Sequence, residues 1–131
     1  MEDNMNNMNF FEIIRAVGLT GVKETASIDW KAHPKFSGVS LKHVITGSDT
    51  GGRISSHIVR IDPFCELGDH THEGRVEIHE VVSGTGICII DGSEHSYECG
   101  VTAVILPDAH HSVRAGRDGL SLMAKFSPAL L

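Results

Sequence analysis

Cysteine, basic charge and long apolar runs are all scarce in this sequence, and each scarcity removes a class of protein. The three cysteines, Cys65, Cys88 and Cys99, are odd in number and show no C-x-x-C spacing. Neither a disulfide framework nor a dithiol redox motif is expected, and the three read as partly buried thiols. Lys and Arg number 11 against 17 Asp and Glu, for a net charge of -6. With no basic stripe and no helix-turn-helix pattern, nucleic acid is not an expected partner. No apolar run approaches the ~20 residues that cross a bilayer. The opening MEDNMNNMNFF lacks the basic flank and apolar core of a signal peptide, so a cytoplasmic protein without membrane contact is expected. At 131 residues and 40% hydrophobic content, the chain suits one folded domain with one core.

Two regions differ in character. Residues 1–20 read as a tail and a short helix: Phe10, Ile13, Ile14 and Val17 recur at helical spacing, Asn9 and Glu12 match a capping box, and Gly18 is a stop. A helix of this length is below the ~12 to 15 residues that stand alone in water, so its apolar face must lie on the rest of the protein or on a second copy. A homodimer is the expected assembly. Residues 21–131 read as a single all-β domain. Short apolar stretches around Trp30, Phe36, Val39, Leu41, Val44 and Ile45 are broken by His33-Pro34 and Ser37-Gly38. GSDTGG (47–52) then reads as a flexible turn, and SSHIVRIDP, ending at Pro63, as a strand. Many short strands between Gly, Asp-Gly and Pro turns point to an antiparallel sandwich or barrel of the jelly-roll kind.

The chemistry concentrates between Phe64 and Gly84, in FCELGDHTHEGRVEIHEVVSG, and in LPDAHHSVR further on. Alternate side chains of a strand leave the same face, so His70 and His72 are aimed together while Thr71 points away. VEIHEVV (76–82) suits the next strand, and a turn at EGR brings Glu77 back beside His72. Two imidazoles and a carboxylate suit divalent iron, manganese, nickel, copper or zinc, and His111 can supply a fourth donor. An isolated histidine is ordinarily a partly exposed or hydrogen-bonded residue; this set meets several spacing constraints at once.

The spacing H-x-H-x4-E-x6-G, met by His70, His72, Glu77 and Gly84, resembles the first signature motif of the cupins. GTGICIIDGSEHSYECGVTAVILPDAHHSVRAG is similar to the remainder of that fold, and the likeness runs from about Ile54 to about Phe126. It implies a double-stranded β-helix (jelly-roll) barrel in which His70, His72, Glu77 and His111 bind one divalent transition metal. Three departures stand out. Phe64 occupies the usual opening Gly, Ala115 replaces a frequent Asn, and the gap from Pro107 is one residue short, which sets His110 against His111. The Ser-Val-Arg that follows keeps the family register and selects His111.

Strand alternation from Glu77 sends His79 and Val81 to the same side as the carboxylate. Three roles compete for His79: pocket acid or base, further metal ligand, and structural residue bonded to a neighbour. In the first role it is the candidate catalytic group. Arg60, Arg75, Arg114 and Lys125 could hold an anionic substrate, but surface charge is the simpler reading of each. A metal with open positions then implies a small-molecule enzyme of dioxygenase, isomerase or lyase type. The alternative is a non-catalytic protein that senses or binds a small oxygen ligand on the metal.

Overall fold

A computed structural model describes residues 13–18 and 21–131. The strands are β1 (Arg15–Gly18), β2 (Gly21–Glu24), β3 (Lys31–Ala32), β4 (Val39–Ile45), β5 (Ser55–Ile61), β6 (Glu66–His70), β7 (Val76–Ile90), β8 (Ser93–Glu98), β9 (Thr102–Ile105) and β10 (His111–Ser127). A 3-10 turn at Thr25–Ser27 and a helical turn, α1 (Gly47–Thr50), are also present among the described residues.

The two long strands organise the barrel. The first part of β10 pairs with β6 and with the second part of β7, whose other neighbour is β8. The second part of β10 lies between β5 and the first part of β7, and this layer extends to β4 and β3 on one side and β9 on the other. All of these pairings are antiparallel, as in a jelly roll. The layers exchange at a corner where the β7–β10 register shifts between Ala115 and Leu120. Gly84 sits there at φ 80°, and a Cβ on it would stand 2.0 Å from the carbonyl oxygen of Gly119. Only glycine fits both that conformation and that approach.

Alternation along β10 builds the core. Val113, Ala115, Leu122, Ala124 and Phe126 are buried, while Arg114 points outward. They join Val59, Ile61, Val81, Cys88 and Tyr97 inside the barrel. A smaller cluster around Val44 and Ile58 lies apart from this core and is packed against by Ile14, Ala16, Ile28 and Trp30.

The helix expected over Phe10 to Val17 does not run through the described part of that segment: Ile13 is helical, but the chain turns to strand two residues later. Residues 10–12 lie outside the described residues; Arg15–Gly18 is a strand, paired with β2 through Val17 opposite Val22. Ile14 and Ala16 pack inward with a period of two, and Val17 is 76% exposed. Docking of alternate residues on the second cluster outweighs the helical spacing, since a helix this short has little stability of its own. GSDTGG also differs from a flexible turn. Its α1 turn carries a capping box in which Thr46 and Asp49 bond each other's backbone, and Asp49 is ion-paired with Lys23.

Phe64, the residue standing where the resemblance calls for Gly, has φ 59° and is 62% exposed. The position demands a left-handed backbone, which explains the usual glycine and costs a phenylalanine roughly 1 kcal/mol. No helix among the described residues is long and apolar enough to cross a membrane.

Candidate metal centre

β6 ends at His70, and His72 follows in the loop rather than on the strand. Glu77 is the second residue of β7, and His111 opens β10 directly opposite His70. These elements bring one ligand atom each from His70, His72, Glu77 and His111 within 4.8 Å of one another. The ring centroids of His70 lie 4.1 Å from His111 and 4.8 Å from His72.

The hydrogen bonds around the cluster set its chemistry. His70 Nδ1 donates to the carbonyl of Gly68 at 2.7 Å and His111 Nδ1 to that of Ala109 at 3.2 Å. Each ring therefore turns an Nε2 lone pair inward, the form that binds a metal. Glu77 Oε1 and His111 Nε2 lie 3.1 Å apart, yet out of line for a hydrogen bond, and both are buried with no such partner among the described residues. Unsatisfied buried polar atoms are rare because each costs about 1–3 kcal/mol. Two of them converging within a set of three imidazoles and one carboxylate fit a divalent cation.

The protonation states of His70, His72 and Glu77 agree with that fit. Burial pushes His72 down to about 4 and lowers His70, keeping both rings neutral. Burial alone would raise the Glu77 carboxyl, but the imidazoles of His79 and His111 outweigh it and hold it well below the usual carboxylate range. Burial likewise opposes the charged form of His111, and its contact with Glu77 prevails to raise it.

His79 stands behind Glu77, not beside the cavity. It is 1% exposed, with Nε2 2.8 Å from Glu77 Oε2 and Nδ1 2.8 Å from the Tyr97 hydroxyl. Of its three competing roles the geometry matches the bonded one. Both ring nitrogens are occupied, so the expected part as a pocket acid or base has no free atom to act through. Tyr97 is itself buried beside the Cys88 thiol, and burial pushes both hydroxyl and thiol upward. The three cysteines are free, with Cys88 buried, Cys65 intermediate and Cys99 exposed.

His110 points away from the cluster, to Asp69 at 3.0 Å on the surface. Nor do the four basic residues reach the site. Arg60 stacks on Trp30 at 4.0 Å, Arg75 donates to the Ala129 carbonyl, Arg114 faces Glu66 and Lys125 pairs with Glu80.

A cavity of about 90 Å³ opens on His70, His72 and Glu77, and its remaining wall includes Leu41, Val59, Phe126, His43 and His57. The last two were not legible in the sequence, where they are 14 residues apart. Only the pairing of β4 with β5 sets them side by side.

No protein-family profile matches this chain, and no curated protein does. Solved structures do. A predicted oxalate decarboxylase from Thermotoga maritima is 19% identical, with a TM-score of 0.73 over 79% of this chain and 95% of that one. KdgF from Halomonas sp. is 23% identical, with a TM-score of 0.67 over 76% and 86%. An RmlC-like cupin from Shewanella frigidimarina is 18% identical, with a TM-score of 0.70 over 80% and 87%. At such identities the shared ground is the fold, and the jelly-roll barrel described above is a small barrel of the cupin fold.

Proposed function

We propose that the chain is a metal-dependent enzyme acting on a small oxygen-bearing molecule, of dioxygenase, isomerase or lyase type. His70, His72, Glu77 and His111 would hold one divalent ion, with iron, manganese, nickel and zinc all compatible with the donors. The observation that carries this reading is the pair of orphaned buried atoms, Glu77 Oε1 and His111 Nε2, at the centre of the cluster. Bound there, such an ion supplies Lewis acidity toward an oxygen ligand. The chain itself contributes the rest. Backbone carbonyls orient His70 and His111, His79 holds the second oxygen of Glu77, and Leu41, Val59 and Phe126 give the cavity an apolar wall. One structure of similar fold is named as a predicted oxalate decarboxylase, which is compatible with an enzyme but names no reaction here.

A second reading, a protein that binds or senses a small ligand without converting it, is favoured by one observation: His79 has no nitrogen free toward the cavity. Elemental analysis tests the shared part. Close to one transition metal per chain is expected, lost in His70→Ala and His111→Ala and kept in His110→Ala; retention in His111→Ala would overturn the site. Oxygen uptake or product formation with a panel of keto acids, hydroxy acids, sugars and catechols then separates enzyme from sensor. A homodimer belongs to the same proposal, and light scattering that finds a monomer removes it.

A further inference from the structure

The cavity has a second polar feature besides the metal cluster. His43 of β4 and His57 of β5 are cross-strand partners whose Nδ1 atoms lie 2.8 Å apart, with the rings edge-on at 84°. A contact this short between ring nitrogens needs one proton in it, so one Nδ1 donates and the other accepts. The chain of bonds continues inward, for His57 Nε2 is 2.8 Å from Ser55 Oγ, which accepts the backbone N–H of Leu130 at 2.8 Å. Outward it ends at His43 Nε2, which has no partner among the described residues.

Two arrangements satisfy these bonds. When the Ser55 hydroxyl donates to His57 Nε2, His57 Nδ1 donates to His43, and His43 presents an N–H to the cavity. When His57 Nε2 donates to Ser55 instead, His43 Nδ1 donates to His57, and His43 presents a lone pair. No heavy atom moves between them. Burial pushes His57 down to about 4 and lowers His43, so both rings rest neutral at pH 7. The cavity also limits the ligand. It is about 90 Å³, its other wall residues include Leu41, Val59 and Phe126, and no Lys or Arg among the described residues lines it. It is not built to pair with a phosphate or a dicarboxylate. A small neutral molecule with an ionisable hydroxyl next to a carbonyl suits it better.

We propose that His43 is the catalytic base of this cavity, accepting the hydroxyl proton of a small neutral hydroxy-carbonyl ligand, with His57 and Ser55 as positioning residues that set its tautomer. The O–H bond of the ligand breaks and its electron pair stays on oxygen. The proton forms Nε2–H on His43, whose Nδ1 proton shifts toward His57, so that one positive charge is shared by the two rings. His57 Nε2–H continues to donate to Ser55 Oγ. The inference rests on the metal reading above, because an oxyanion in an apolar cavity needs a cation to offset it.

Acetohydroxamic acid, a neutral molecule of this class, is the probe. It is titrated calorimetrically into zinc-loaded protein in two buffers of different ionisation heat, which counts protons released to solvent. The wild type should release about one proton fewer per ligand bound than His43→Phe or His43→Gln, at unchanged zinc content, because the acceptor is lost in the variants. In parallel, nitrogen-15 NMR of the imidazoles at pH 7 should find His43 and His57 as opposite neutral tautomers. Equal proton release in wild type and both variants, or the same tautomer in both rings, overturns the role of His43 and leaves the metal reading standing. Zinc-loaded protein that fails to bind the hydroxamate also overturns it. Failure to take up zinc overturns the metal reading itself.

Discussion

Replacing His79 with leucine separates a group that orients Glu77 from one that moves substrate protons. In the wild type His79 Nε2 lies 2.8 Å from Glu77 Oε2, and both residues are almost wholly buried, at 1% and 3% exposed. Leucine removes that partner without opening the site to water, which leaves one carboxylate oxygen unpaired and takes the imidazole from the Tyr97 hydroxyl, whose remaining neighbour is the Cys88 thiol. Breaking a buried pair in this way costs about 3–5 kcal/mol. In a domain of this size that lowers the unfolding midpoint of the metal-free protein by roughly 10–20 °C. A hydrogen bond to a charged group contributes about 1.5–3 kcal/mol, and losing one that steadies a ligand weakens metal affinity by roughly 10- to 100-fold. Glutamine at the same position keeps an N–H donor and should recover most of the affinity. The assay is a competition for zinc against a chromophoric chelator, with thermal unfolding followed in the same samples. A folded His79→Leu protein that binds zinc as tightly as the wild type would refute the orienting role. A His79→Gln protein as weak as His79→Leu would show that the ring, not its N–H, is what matters.

Acid should act through the buried rings. His57 and His72 are held near 4 by burial, below the ordinary 6.5, so from about pH 6.5 down to 4 the unfolded chain binds more protons and stability is lost as pH falls. For His57 alone the loss is on the order of 3 kcal/mol; denaturant midpoints of metal-free protein should fall across that window, and less so in His57→Gln. An equal slope in the two proteins would contradict the assignment. At φ 59°, Phe64→Gly should relieve the left-handed strain and raise the thermal midpoint by a few degrees, about 1 kcal/mol; an unchanged or lower midpoint counts against strain there. Gly84→Ala places a Cβ 2.0 Å from the Gly119 carbonyl oxygen and should destabilise by roughly 3 kcal/mol or more, readable as a lowered urea midpoint; a midpoint like the wild type's would mean the corner can open without cost.

Wherever one strand's own periodicity decides placement, the amino-acid sequence determined the outcome by itself. Glu77, His79 and Val81 are all buried on one side of β7 because side chains alternate. The His-x-His pair and the turn after it bring His70, His72 and Glu77 together from a single short segment, and the Ser-Val-Arg register put His111 rather than His110 inside. Placement that depends on what lies across a strand pairing or under a docked segment belonged to the tertiary structure alone. At Arg15 to Val17 the helical spacing was misleading, because Ile14 and Ala16 gain more by docking with Val44 and Ile58 than a short isolated helix gains from its own bonds. His79 was placed on the correct side, yet its task was set by Tyr97, which arrives from β8 and occupies its remaining nitrogen. His43 and His57 share no motif, and they meet only because β4 and β5 are in a register that sets one opposite the other. Local spacing carries information about which residues share a face. Which faces then meet is decided by long-range packing, whose energy is spread over residues that no short segment contains.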